Sequence, residues 1–229
     1  MEIRIEHLLD GAKRSEGLVV IIDVFRAFSV ECYAYASYAK KIIPVKEVEE
    51  AFEYKKENNE YILVGERNGI IVEGFDFGNS PYEISKTDLK DKTIIHTTSS
   101  GVQGISNALK AEEIITGSLV NAKAIARYIK DRNPEIVTLV PMGWCGDTET
   151  MEDEICATYI KSLLEDNELD ISKDIEALKE TDGARFFDEK TQHIFPKEDF
   201  FLCTDINKFD FIIKVHTDNG KYNTERVDI

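Results

Sequence analysis

Leu18-Val19-Val20-Ile21-Ile22-Asp23-Val24-Phe25-Arg26-Ala27 carries the clearest fold signal in the chain. Five apolar residues, four of them β-branched, read as a buried strand. The strand runs into an aspartate, an arginine follows three residues later, and a helical period begins directly after. The same change from apolar run to polar loop recurs where Tyr61 to Val64 meets Gly65-Glu66-Arg67-Asn68-Gly69, and where Thr93 to Ile95 meets Thr97-Thr98-Ser99-Ser100-Gly101. Strands that alternate with amphipathic helices specify an α/β layer architecture. The expected fold is therefore a three-layer α/β/α structure with a mostly parallel or mixed central sheet. Ligands of open α/β sheets bind beyond the carboxyl ends of the strands, so these polar loops are expected to gather at one edge.

Outward from that segment, strands are expected at Leu18 to Asp23, Lys41 to Val45, Tyr61 to Gly65, Thr93 to Thr97, Glu113 to Thr116, Ile136 to Pro141 and Phe211 to Val215. Helices are expected from a Ser29 cap with Val30, Tyr33, Ala34 and Tyr38 inward, and over Val48 to Asn58. Another follows the Thr97 loop with Ile105, Ala108 and Leu109 as its apolar positions. Further helices fall at Ala122 to Lys130 after an Asn121 cap, Met151 to Leu164, Ser172 to Glu180 and Pro196 to Cys203. The polar tail from Thr217 to Ile229 is expected to fray. No linker or repeat divides the 229 residues, so residues 1–229 read as a single α/β domain.

A net charge of -16 excludes partners that need a cationic footprint, namely nucleic acid and anionic membrane. No apolar run is long enough for a membrane span, and the start Met1-Glu2-Ile3-Arg4-Ile5 lacks a signal-peptide pattern, so a cytoplasmic location is expected. Cys32, Cys145, Cys156 and Cys203 are too scattered for a zinc site or a disulfide framework and read as free thiols. His7, His96, His193 and His216 show no metal-ligand spacing, and His96 reads as packing. Composition leaves assembly into a homo-oligomer open.

The loops carry the chemistry. Thr97-Thr98-Ser99-Ser100-Gly101 opens a helix whose N–H groups and hydroxyls suit a phosphate, although a plain cap uses the same residues. Asp23, at the end of a buried strand, needs a partner; Arg26 or a cation would serve. Phe25 stands where the Asp-x-Asp motif of haloacid-dehalogenase phosphatases requires a second acid, which excludes that pattern. Glu66-Arg67 repeats the pairing of acid and guanidinium at another strand end. Gly74-Phe75-Asp76-Phe77-Gly78-Asn79-Ser80-Pro81 sets an aspartate between aromatic rings inside a turn. Glu152 and Asp153 open the helix at Met151, where Thr150 and Asp153 form a capping-box pattern or, facing the same edge, the acids supply oxygen ligands to Mg²⁺.

Together these segments resemble the 2-phosphosulfolactate phosphatase family. The residues that carry the resemblance are Ile22-Asp23-Val24-x-Arg26-Ala27, Gly65-Glu66-Arg67, Gly74-Phe75-Asp76-x-Gly78-Asn79-Ser80-Pro81, Thr97-Thr98 with Gly101, Gly117-Ser118 with Asn121-Ala122, and Glu152-Asp153 with Cys156-Ala157. The chain departs from the family pattern at Ser100, Val102 and Gln103, the last standing near a usual arginine, and at Ile213-Lys214. The resemblance implies a Mg²⁺-dependent hydrolase acting on a small anionic phosphoester, 2-phospho-3-sulfolactate, on the route to coenzyme M. Catalytic roles are expected for Asp23, Arg26, Glu66, Arg67 and Asp76. Substrate contacts are expected from Thr97, Thr98, Ser99, Gly101, Asn79 and Ser80, and Mg²⁺ ligands from Asp23, Asp76, Glu152 and Asp153. The attacking group is expected to be a water activated by Glu66 or Asp76, with an aspartyl-phosphate at Asp23 as the alternative. Two rival functions remain: a phosphatase for another acidic phosphoester, and a non-catalytic anion-binding protein.

Overall fold

A computed structural model describes residues 1–218 and 220–229. Strands β1 (Glu2–Ile5), β2 (Gly17–Ile22), β3 (Lys41–Pro44), β4 (Ile62–Arg67), β5 (Ile70–Ile71), β6 (Thr93–Thr97), β7 (Ala111–Gly117), β8 (Ile136–Pro141), β9 (Phe211–Asp218) and β10 (Lys221–Asp228) form one mixed sheet. Its order is β1-β8-β2-β7-β9-β10-β3-β6-β4-β5. The helices are α1 (Leu8–Arg14), α2 (Ala27–Ala36), α3 (Val48–Glu57), α4 (Pro81–Ser85), α5 (Gly101–Asn107), α6 (Ala122–Arg132), α7 (Met151–Leu164), α8 (Ser172–Ala177) and α9 (Lys197–Cys203).

The three layers follow from side-chain alternation along β2. Leu18, Val20 and Ile22 pack with Ile125 and Ile129 of α6 and Cys156 and Ile160 of α7. Val19 and Ile21, pointing the other way, pack with Ala12 of α1 and Ile105 of α5. The other end of the sheet repeats the scheme: Ile42, Val64 and Ile94 meet Val30 and Tyr33 of α2, while Ile43, Leu63 and Ile95 meet Ala51 of α3.

Strands β1, β8, β2 and β7 run parallel, as do β3, β6 and β4. Between the two sets stand β9 and β10, antiparallel to each other and to their outer neighbours. The two parallel sets therefore point in opposite senses along the sheet, and a flat sheet would put the ends of β2 and β6 at opposite edges. They meet nonetheless, because Gly101 N just past β6 donates to Asp23 Oδ2 just past β2 at 2.9 Å. The two halves of the sheet are joined by the β10–β3 ladder, which is reduced to the Thr224–Ile42 pair.

Several expectations need correction. The tail does not fray: from Thr217 it completes β9 and forms β10, whose eight residues pair along the whole of β9, though Asn219 lies outside the described residues. Helix α2 starts at Ala27, before Ser29, whose hydroxyl instead bonds Val24 O and Ser118 Oγ at 2.8 and 2.7 Å. Tyr38 and Leu109 lie just beyond their helices and are 74% and 80% exposed. Asn121 makes no side-chain cap of α6; its Oδ1 accepts from Ser118 N and closes the preceding turn. Among the described residues, no helix is long and apolar enough to cross a membrane.

Candidate active site

The loops after β2, β4, β6 and β8 enclose a narrow cleft lined by Asp23, Phe25, Arg26, Glu66, Asn68, Gly69, Asn79, Ser99, Ser100, Gly143, Trp144, Cys145 and Phe195. Asp23 is held by backbone donors: Ala27 N to Oδ1 at 3.1 Å and Gly101 N to Oδ2 at 2.9 Å. Burial is the largest influence on its carboxyl and, with the Glu66 charge adding to it, pushes the pKa up to about 6 against the two hydrogen bonds. Glu66 is clamped more fully, accepting from Ser99 N at 2.7 Å, Gly69 N at 2.6 Å and Ser99 Oγ at 3.1 Å.

These contacts take up much of the phosphate cradle read from the Thr97 loop. Gly101 N serves Asp23, Ser99 N serves Glu66, and Val102 N bonds Thr98 Oγ1. Thr97 Oγ1 bonds Lys46 O and receives Arg67 Nη2 at 2.9 Å, so both residues brace strand ends outside the cleft lining. Arg26 reaches the cleft, but its guanidinium pairs with the fully buried Asp199 at 2.8 Å and also bonds Ile194 O and Gly69 O. Ser80 caps α4 and donates to the same Asp199 at 2.8 Å, away from the cleft lining.

Asp76 lies elsewhere. Its Oδ2 accepts from Leu63 N at 2.8 Å and pairs with Lys55 at 3.1 Å, tying the turn before α4 to the β4 edge. Asp153 sits behind Asp23 and forms no cap of its own helix; it accepts from Val24 N at 2.7 Å and Gly143 N at 2.8 Å, stapling the β2 and β8 loops. Burial, then the charges of Glu152 and Asp23, raise its pKa well above the usual carboxylate range. Burial likewise lifts Glu152 to about 7, against the pull of Arg185. Among the described residues, the one grouping of three metal-ligand atoms within 4.8 Å of each other is His7, Glu149 and Glu154, which is not in the cleft lining.

Asn79 does line the cleft, and His96 is more than filler beside it. The buried imidazole bridges Glu31 Oε1 at 2.9 Å and Asn79 Oδ1 at 3.2 Å, fixing the amide at the cleft wall. Gly143, Trp144 and Cys145 carry no motif of their own, although they follow β8 as Asp23 follows β2, and that position is their signal. Sequence pattern likewise assigns no site role to Phe195, Asp199 or Arg185, which come from the segment where helical periodicity is weakest.

A mixed α/β sheet, with polar loops from distant parts of the chain converging on one cleft, defines the class: a three-layer α/β/α protein with a candidate site at its strand ends. The chain belongs to the 2-phosphosulpholactate phosphatase family, whose sequence profile matches residues 3–218. It is similar to proteins named "Probable 2-phosphosulfolactate phosphatase" from Bacillus subtilis (strain 168), at 35% identity over 92% of both chains, and from Caldanaerobacter subterraneus, at 36% identity over 91% of this chain and 90% of the other. The protein of that name from Clostridium novyi is 40% identical over 62% of this chain and 60% of its own.

Proposed function

We propose that this chain is a Mg²⁺-dependent phosphomonoester hydrolase that converts 2-phospho-3-sulfolactate and water into 3-sulfolactate and phosphate, acting in the cytoplasm on the route to coenzyme M. One observation carries the reading: Asp23 and Glu66, each locked by backbone donors, face the same narrow cleft. Their fit to a hard cation rests on charge. Two acids share a desolvated wall, Glu66 raises the pKa of Asp23, and a cation would relieve both costs. Mg²⁺ is commonly held by one or two carboxylates together with substrate oxygens and water, so no three-residue cage is required. Asp23 and Glu66 are the ligands we favour, because both face the cleft; Asp76 lies outside its lining.

When bound, Mg²⁺ supplies Lewis-acid neutralisation of phosphoryl charge. The protein's own groups do the rest. The Asp23 carboxylate would accept the proton of an attacking water as its oxygen bonds phosphorus and the ester P–O bond breaks toward the sulfolactate oxygen, which takes up a proton from solvent. Glu66 orders the Ser99 and Gly69 backbone, Asn79 offers its amide, and Trp144 and Phe195 wall off solvent. The test is phosphate release from 2-phosphosulfolactate, phosphoglycolate and phenyl phosphate, with Mg²⁺ or EDTA. Mg²⁺-dependent release, fastest from 2-phosphosulfolactate, is expected. Better turnover of another ester would reassign the substrate, and ligand binding without release from any would favour the anion-binding alternative. Quenching turnover of ³²P-labelled substrate distinguishes direct attack by water, which leaves the protein unlabelled, from a phosphoryl group carried on Asp23.

A further inference from the structure

The cleft has an electrostatic deficit. Asp23 and Glu66 front it, and the proposed substrate adds phosphate, carboxylate and sulfonate. The guanidinium groups read from the sequence are committed elsewhere: Arg26 to Asp199, Ile194 O and Gly69 O, and Arg67 to Glu66 O, Lys46 O and Thr97 Oγ1. Gln103 brings no charge, and its amide donates to Lys46 O at 3.1 Å.

Arg185 differs from both arginines. It sits in the short 3-10 turn Ala184–Phe186, and its guanidinium carbon lies 4.8 Å from the Trp144 ring centroid, 5.3 Å from Phe195 and 5.9 Å from Phe25. Those three residues line the cleft. Arg185 is not itself in the lining but stands against these rings, and aromatic faces stabilise a cation without using its N–H groups. Its Nε is buried without a hydrogen-bond partner, and Glu152 Oε1 stands 3.8 Å from its Nη2, beyond hydrogen-bond reach. Glu152 Oε2 is buried and unpartnered as well. An ion pair built only for stability would close that gap, since each unmade buried hydrogen bond is costly. Arg26 stacks on Phe195 too, at 4.8 Å, so this ring is shared by the two guanidinium groups, one committed and one open.

We propose that Arg185 is a specificity-determining residue that receives the acid groups the reaction does not transfer, the carboxylate or sulfonate of the substrate, while the phosphoryl group meets Asp23 and Glu66. The proposal rests on the hydrolase reading above. The other guanidinium groups at the cleft are engaged, and a planar fork matches a carboxylate or sulfonate edge with two parallel hydrogen bonds.

Trp144 is the sole tryptophan of the chain and touches Arg185, so its fluorescence reports this subsite without turnover. The intact protein, Arg185→Met and Arg185→Lys are titrated with 3-sulfolactate and, separately, with inorganic phosphate. The expected result is a sulfolactate Kd about 30-fold or more weaker in Arg185→Met, a phosphate Kd moved by less than about threefold, and an intermediate value for Arg185→Lys, which keeps charge without the fork. In turnover, the kcat/KM preference for 2-phosphosulfolactate over phenyl phosphate should fall by a similar factor, through KM. A merely structural role would lower Tm and depress both esters together. Sulfolactate binding within about twofold of wild type in a folded Arg185→Met, phosphate weakened as much as sulfolactate, or no saturable sulfolactate response in the wild type would each overturn the proposal. Sulfolactate binding lost in Arg185→Met, in a protein that hydrolyses none of these esters, would uphold the subsite and reject the hydrolase reading.

Discussion

Arg26→Met should damage this protein through an aspartate 173 residues away in sequence. Arg26 and Asp199 pair at 2.8 Å with side-chain exposures of 4% and 0%, and burial raises the Asp199 pKa even against the arginine's pull. Removing the cation leaves Asp199 Oδ1 with Ser80 Oγ and Tyr82 N but strips Oδ2 of its partner. Breaking one side of a buried pair costs about 3 to 5 kcal/mol, because the remaining charge stays desolvated. For 229 residues, at roughly 2.1 cal/mol/K of unfolding entropy each, that is a fall in Tm of about 6 to 10 °C. Denaturant titration and calorimetry would measure it. The double variant Arg26→Met/Asp199→Asn should recover part of the loss, since an amide replaces the orphaned charge while keeping an acceptor for Ser80. A single variant within about 1 kcal/mol of wild type, or a double variant less stable than Arg26→Met, would refute the reasoning.

Gly101→Ala would put a Cβ 2.9 Å from both Asp23 Oδ2 and Phe28 Cζ. Phe28 is fully buried and cannot yield, so stability should fall by about 1 to 3 kcal/mol and kcat by about 100-fold as Asp23 is displaced; normal turnover would separate Asp23 placement from catalysis. A second prediction concerns pH in EDTA. Folded Asp23 keeps its proton to about 6, whereas the unfolded chain releases it near 3.8, so the folded state binds the extra proton between those values. Stability from this group is complete below about pH 4 and is lost as pH rises through 6, by about 3 kcal/mol in order of magnitude, with Glu152 acting in the same direction. Denaturation midpoints of wild type and Asp23→Asn compared from pH 4 to 7 should show the difference; parallel curves would contradict it.

Much of the architecture was legible because fully buried strands require apolar runs. Thr93–Thr97, Ile136–Pro141 and Met151–Leu164 were bounded as the structure has them. Strand β10 escaped because Lys221-Tyr222-Asn223-Thr224-Glu225-Arg226 reads as polar tail; hydrogen bonds to β9, the Thr224 pairing with Ile42 and the Tyr35 hydroxyl bond to Thr224 hold it, not an apolar run. The strand-end rule led to Asp23, Glu66 and Ser99 at the cleft, but local pattern could not show which partners they take. Thr150 and Asp153 looked like a cap until tertiary structure turned Asp153 toward Val24 and Gly143. The Arg26–Asp199 pair and the aromatic surround of Arg185 join segments far apart in the chain, so no short window contains them.

In the proposed mechanism the phosphoester is opened at Asp23, at the end of β2. The most direct test is the steady-state rate of phosphate release from saturating 2-phosphosulfolactate and Mg²⁺ by folded Asp23→Asn. A kcat lowered by about 100-fold or more is expected, as for loss of a principal group acting on the transition state. A rate within about threefold of wild type would contradict that mechanism and move the chemistry away from this cleft.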